Sequence, residues 1–477
     1  MSMRKRTVQS RIEQVGLLVV IGTAAIALLA YMALIEAGHW GSDEYYIAAF
    51  NASTGWRSVL GRMVRWSPRP FSEAVSALYL TLCHWLKHSF VVPFLLLLWL
   101  GSIAVIAAAA RRAGEVRPIL FAVVLFVLAL MLCRPDEMFY WPMATVAYLS
   151  SWAGLAAVTA LRRADTSAVY PPSSLLMTGM LLLAAFSVEI GAVTVLLDAV
   201  LWVMVAPVRL PGRPASAGFR RSRLQAARAG LVPALAGLLI CISVYVSRMR
   251  PMVEVLDRSS LLAGNWLRSF EAAVPIFAHE LVGIPGLPVL AAILLKLAIL
   301  LVLPPPGAST GPATRRRIVW AVSLLLGAFL SVALSLHQFG MLCCQRHQTM
   351  RAGMILLALV ALAPSSALLW RRLPAGLREM LLAGVLLLLL AVWTPALKAD
   401  FALIPEHMRT RSTNWSSARG PEDAMLFTVP PPGRLFGGPF WPSQIVRLRD
   451  GQVPAYGAEG IAAFFGKHEM TIVQSPR

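Results

Sequence analysis

About eleven long apolar runs, separated by short polar connections, constrain this chain more than any other feature. They fall near residues 15–37, 91–110, 118–133, 141–161, 174–187, 190–208, 228–247, 286–303, 318–336, 351–370 and 379–397. A helix needs ~20 apolar residues to cross a ~30 Å hydrocarbon core, where every backbone N–H and C=O must be satisfied internally. Of the 477 residues, 58% are hydrophobic and only 14% charged, far more apolar than a water-soluble chain requires. The expected fold is therefore all-α: a polytopic integral membrane protein with about eleven transmembrane helices.

The charges orient those helices. Formal net charge is +20, from 43 Lys+Arg against 23 Asp+Glu. In a soluble protein such an excess would suggest nucleic acid, but here it is concentrated between apolar runs, as the positive-inside rule expects, so no nucleic-acid partner is expected. Arg111-Arg112 with Arg117, Arg162-Arg163, Arg209 to Arg228, Arg315 to Arg317, and Arg371-Arg372 with Arg378 occupy every second connection. With these and the basic N-terminus in the cytoplasm, the first run is an uncleaved signal anchor of an inner (plasma) membrane protein. The alternate connections, 38–90, 134–141, 188–190 and 337–351, then face outward. A membrane core over 1–397 carries them, and a small tail over 398–477 lies on the same outer face. Residues 72–88 are apolar but end in His84, Lys87 and His88, and counting them as a span would break the alternation. An interfacial or re-entrant helix on the outer face, after the first span, is expected there.

The outward connections hold the residues suited to chemistry. Asp43-Glu44 follows Ser42, a good helix start, since acids in a first turn suit the helix dipole. The pair also stands close to a span's end, where acids are costly, and Arg65 and Arg69 lie in the same connection. Asp136-Glu137 occupies the next outward connection, beside Tyr140 and Trp141, and Glu189 the one after. A later one presents Arg346, His347 and Arg351, and arginine's planar fork suits phosphate oxygens. Carboxylates that can activate a hydroxyl, facing arginines that can hold a phosphate, point to an enzyme meeting a lipid phosphate at the bilayer surface.

Other readings of these residues are weaker. His337, Cys343, Cys344 and His347 have no conventional zinc spacing, and His84 and His88 lack the glutamate of a zincin helix, so no metal is expected. No cofactor is expected either: a Walker loop, a strand-linked GxGxxG and a Gly-x-Ser-x-Gly elbow are all missing. Five cysteines make no disulfide framework, and the vicinal Cys343-Cys344 pair reads as small apolar filler. Asn51 and Asn414 begin glycosylation sequons of a length that chance supplies readily.

The run Asp43-Glu44-Tyr45-Tyr46, the element Trp66-Ser67-Pro68-Arg69 and the stretch from Trp141 to Tyr148 together resemble the GT-C superfamily of polytopic glycosyltransferases, best over the first ~190 residues. The resemblance implies transfer of a sugar from a polyprenyl-phosphate carrier to a glycan, lipid or protein acceptor on the outer face. Asp43 would be the general base, with Glu44 and Asp136 assisting. Arg65, Arg69, Glu137, Tyr140, Trp141, Tyr148, Glu189, Arg346, His347 and Arg351 would bind substrate. Where that family often has Asp-Asp, this chain has Asp43-Glu44, which leaves open which carboxylate is the base. Two other classes compete. A polysaccharide polymerase or ligase would gather arginines in one large outer loop, as 248–285 does in part. A transporter or lipid flippase would bury charge at mid-depth, where Asp198 and Lys296 lie.

Overall fold

A computed structural model describes residues 3–65, 67–163, 174–205, 217–248, 264–302, 312–363, 375–420, 422–438, 442–449 and 457–475. The basic loop around Arg209, the Pro304–Pro306 linker, Arg371-Arg372 and Trp66 lie outside these residues, as does the side chain of Arg65.

The chain is predominantly helical. Five helices are long and apolar enough to cross a membrane: Glu13–Ala37, Val91–Arg112, Pro142–Arg163, Thr314–Phe339 and Gly376–Phe401. Four more apolar helices, Pro118–Met131, Leu175–Ser187, Gly230–Val246 and Val289–Val302, are shorter. Fourteen helical residues, as in Pro118–Met131, rise only about 21 Å, less than a ~30 Å core. Eleven full-length spans are therefore more than the described helices show.

In chain order the helices are α1 (Met3–Ala33), α2 (Ser42–Thr54), α3 (Trp56–Arg65), α4 (Pro70–Leu86), α5 (Val91–Arg112), α6 (Pro118–Met131), α7 (Asp136–Tyr140) and α8 (Pro142–Arg163). There follow α9 (Ser174–Ser187), α10 (Glu189–Val205), α11 (Ala217–Arg248), α12 (Trp266–Val282), α13 (Val289–Val302), α14 (Pro312–Phe339), α15 (Gln345–Leu362), α16 (Ala375–Phe401), α17 (Ile404–Ser417) and α18 (Ala458–Phe465). Helix α8 forms the centre: Trp152 and Leu155 are fully buried, and α5, α9 and α15 pack around it. Helices farther from this centre keep apolar faces open, as Leu235, Leu239, Ile242 and Val246 do on α11. A bilayer covers such faces in a membrane protein; in water they would be exposed greasy patches.

Helix α4, over the stretch read as interfacial, exposes Leu78, Leu82, Trp85 and Leu86 along one face and buries Ser72, Ser76, Leu80 and Cys83 along the other. Helix α3 before it exposes Trp56, Leu60 and Val64 at a helical repeat. Neither helix is long enough to span, and both are two-faced, as expected of helices that lie along a membrane surface.

The tail departs from an all-α fold. It carries strands β1 (Ala424–Val429), β2 (Gln444–Arg447) and β3 (Glu469–Gln474) in the order β1-β3-β2. Strand β3 runs parallel to β1 (Ala424 opposite Glu469) and antiparallel to β2 (Gln444 opposite Ile472). Alternation in β1 sends Met425, Phe427 and Val429 inward, the period-two pattern that makes a strand and not a helix. On β1, the buried Asn414 acts as one more strand residue: its amide accepts from Thr428 N (3.0 Å) and donates to Thr428 O (2.8 Å). An asparagine committed in this way is not a glycan acceptor. Asn51 of the other sequon accepts from Ser58 Oγ at 2.6 Å.

Candidate functional site

Gly41 caps the start of helix α2, and its N–H donates to the Glu44 carboxylate at 2.9 Å. Glycine has no side chain to return the bond, so only Glu44's half of a capping box exists. Glu44 has two further donors: Trp141 Nε1 at 2.5 Å and Met143 N at 3.1 Å. Gly41 itself lies against the indole of Trp141, where a β-carbon would come within 2.8 Å of the ring. Glu44 is thus fully buried and stitches the first connection to the second. Burial pushes its carboxyl up to about 8, against the downward pull of the Trp141 bond and with a further push from Asp43.

Asp43 is only half-buried and its charge acts on Arg346. Arg346 donates to Glu137 at 2.8 Å and lies 4.8 Å from the centroid of the Trp141 ring. On another side, Arg69 pairs with Glu189, Nη2 to Oε2, at 2.7 Å. Both guanidinium groups lie beside one ring: Arg69 is 5.8 Å and Arg346 5.9 Å from the centroid of Tyr148. The Tyr148 hydroxyl is hydrogen-bonded to His347 Nε2 at 2.5 Å. Tyr148 stands on a π-helical turn, Thr145–Leu149, within α8. Such turns widen a helix locally and recur at functional sites. Residues 43, 69, 137, 141, 148, 189, 346 and 347, drawn from the connections 38–90, 134–141, 188–190 and 337–351 and from α8, therefore meet at one end of the bundle. Two side-chain hydroxyls fasten that end by donating to backbone carbonyls: Ser72 Oγ to Ser187 O (2.9 Å) and Thr349 Oγ1 to Arg134 O (2.7 Å).

Three of the sequence candidates are bonded to partners outside this cluster. Tyr140 is buried and donates its hydroxyl to Tyr31 O at 3.0 Å, a core contact. Arg351 is buried in a bidentate pair with Glu280 (2.6 and 2.5 Å). Asp136 lies under the tail: its N–H donates to Leu435 O at 2.7 Å and its carboxylate covers the α-carbon of Gly437, where any side chain would collide with it. Gly437 has φ +66, so this position needs glycine on both counts. Burial, then Glu137, push the Asp136 carboxyl up to about 7, while Arg134 pulls down and Asp400 pushes up. Arg65 closes α3, with its side chain outside the described residues.

Sequence reading missed the tail's part in this region. Asp400, at the end of α16, accepts from Arg434 N (2.7 Å) and Leu435 N (2.6 Å), and Arg134 donates to Arg434 O at 2.8 Å. An acid at the end of an apolar run was the available signal. Cys343 and Cys344 are not buried filler: both are half-buried and joined in a vicinal disulfide, which removes them as thiolate ligands. His337 stacks on Trp266 with centroids 3.7 Å apart. Among the described residues no group of three or more His, Cys, Asp or Glu is placed to hold a metal ion.

The mid-depth charges are accounted for by structure. Lys296 donates to Glu280 O, Leu281 O and Gly283 O (3.1, 2.7 and 2.8 Å), which closes the C-terminus of α12. Asp198 receives both ends of the Arg162 fork at 2.6 Å. No protein-family model matches the chain, and a search of curated proteins finds no match.

Proposed function

We propose that this chain is a membrane glycosyltransferase of the GT-C type, which moves a sugar from a polyprenyl-phosphate carrier to a cell-envelope acceptor with inversion. The observation that carries the reading is the meeting of Arg69 and Arg346 on Tyr148, with the charge of the half-buried Asp43 acting on Arg346. The acceptor hydroxyl attacks the anomeric carbon, its proton passes to Asp43, and the bond from that carbon to the phosphate oxygen breaks. The leaving phosphate gathers negative charge, which Arg69 and Arg346 neutralise after exchanging Glu189 and Glu137 for phosphate oxygens. Asp43 is favoured over Glu44 as the base because Glu44's oxygens already accept three hydrogen bonds. Glu44 positions the two connections instead. Basic residues at the far end of α8, about 33 Å away along its 22 residues, support inner-membrane residence with this end outward.

Lys296 and Asp198, the charges that would favour a transporter, bond to helix carbonyls and to Arg162 respectively. The test is transfer of radiolabel from a polyprenyl-phosphate sugar to cell-envelope acceptor by detergent-purified protein. Asp43→Asn is expected to lower the rate by about 100-fold or more while the protein stays folded. An unchanged rate removes Asp43 as base; no transfer by folded wild type across several donor sugars removes the glycosyltransferase reading.

A further inference from the structure

The turn between α14 and α15 spans residues 340–344 and ends in the disulfide. Its backbone is held at one end by Ser335, whose hydroxyl accepts from Cys343 N at 2.8 Å and donates to Met341 O at 3.1 Å. At the other end Cys344 is the residue before α15, its φ of 38 lies in the left-handed region, and its C=O accepts from His347 N at 3.1 Å. A β-carbon is unfavourable there, and something must hold the residue in place. The first residues of α15 after it are Gln345, Arg346 and His347, so the direction in which Arg346 meets Glu137 and His347 meets Tyr148 is set at Cys344. A bond between adjacent cysteines closes a small covalent ring through their shared peptide, which fixes that unit. Both residues are half-buried, within reach of a small thiol.

We propose that Cys343–Cys344 is a reversible thiol–disulfide site that holds Arg346 and His347 in register, and that a dithiol reductant opens it and loosens the cluster around Tyr148. A thiolate of the reductant attacks one sulfur and forms a mixed disulfide. Its second thiol then displaces that cysteine; Cys343 and Cys344 together gain two electrons and two protons, and the reductant leaves as its own cyclic disulfide. With the ring open, Cys344 relaxes toward ordinary backbone angles, and the first turn of α15 loses its fixed start.

The disulfide and its coupling are tested without reference to any reaction; only the ligand measurement rests on the phosphate-binding reading above. Maleimide labelling of unfolded protein should titrate three thiols, Cys83, Cys133 and Cys241, before dithiothreitol and all five after it. Five thiols before reduction would overturn the proposal. Amide hydrogen exchange over 340–350 and 134–141 should then rise about tenfold or more on reduction of wild type. In Cys343→Ser/Cys344→Ser it should be high with or without reductant. Exchange unchanged by reduction would reduce the disulfide to an inert brace and also overturn the proposal. Farnesyl phosphate binding should weaken about tenfold on reduction, as loss of a charged hydrogen bond does. If oxidised wild type binds no farnesyl phosphate, the phosphate reading fails, while the exchange data still decide this one.

Discussion

Asp43 and Glu44 are neighbours in sequence with opposite circumstances. Asp43 is half in solvent beside Arg346, whereas Glu44 is sealed under Trp141. A pattern of acids along a chain gives their number and spacing, but burial depends on a partner 97 residues away. The reachable members of the cluster, Asp43, Arg69, Glu137, Glu189 and Arg346, were legible because charge next to apolar sequence is rare and costly. The burial of Asp136 under Leu435 and Gly437 was not, because nothing local in either segment marks the other. Asp136 carries a pH prediction. Its folded carboxyl titrates near 7 against an ordinary 3.8, so the folded state holds the proton more tightly than the unfolded. Stability contributed by the neutral form is full at low pH and is lost as pH rises through that window, by at most about 1.4 kcal/mol per pH unit. Asp136→Asn should flatten this slope, as thermal unfolding in detergent between pH 5 and pH 8 will show; an equally steep slope in the variant would assign it to another group.

At the level of elements, apolar runs revealed helices but not their lengths. Pro118–Met131 and Val289–Val302 are cut short by connections whose positions hydropathy blurs. The π-turn that carries Tyr148 depends on one slipped hydrogen-bond register within an otherwise ordinary helical sequence, so no residue pattern announces it. Strand alternation in the tail was present at Met425, Phe427 and Val429, but six residues give little contrast against irregular chain. Lys296 shows the value of reading an element with its neighbour: a lysine in an apolar helix caps the helix before it. Lys296→Leu should destabilise the fold by about 1–3 kcal/mol, because three carbonyls at a helix end lose a half-buried charged donor, yet leave transfer by the folded fraction intact. Unfolding midpoints and activity normalised to folded protein separate the two effects. Lost activity with an unchanged midpoint would return Lys296 to a functional role.

Over the whole molecule, the tail is fastened to the membrane core at several points. Arg411 of α17 donates to Glu36 O (3.0 Å) and Gly38 O (2.7 Å), and Trp40 and Tyr45 pack edge-on against Phe464 of α18. The start of the first connection therefore folds against helix α18, far along the sequence. Arg411→Ala should loosen this seam by about 1.5–3 kcal/mol, and limited proteolysis should then cleave within 398–420 faster than in wild type. Equal cleavage would mean that the aromatic contacts hold the tail unaided.

Arg69 and Arg346 each have a glutamate at hydrogen-bond distance before any ligand arrives. A resting cluster of this kind does not draw anions from solution by long-range attraction. An incoming group must instead outcompete carboxylates already in place, and weakly charged or poorly shaped anions, chloride among them, fail that contest. The same exchange leaves Glu137 and Glu189 in need of a new partner once a phosphate is seated. On the proposed reading, seating of a donor phosphate and rearrangement of these two carboxylates are one event, so the site changes its internal pairing each time it fills.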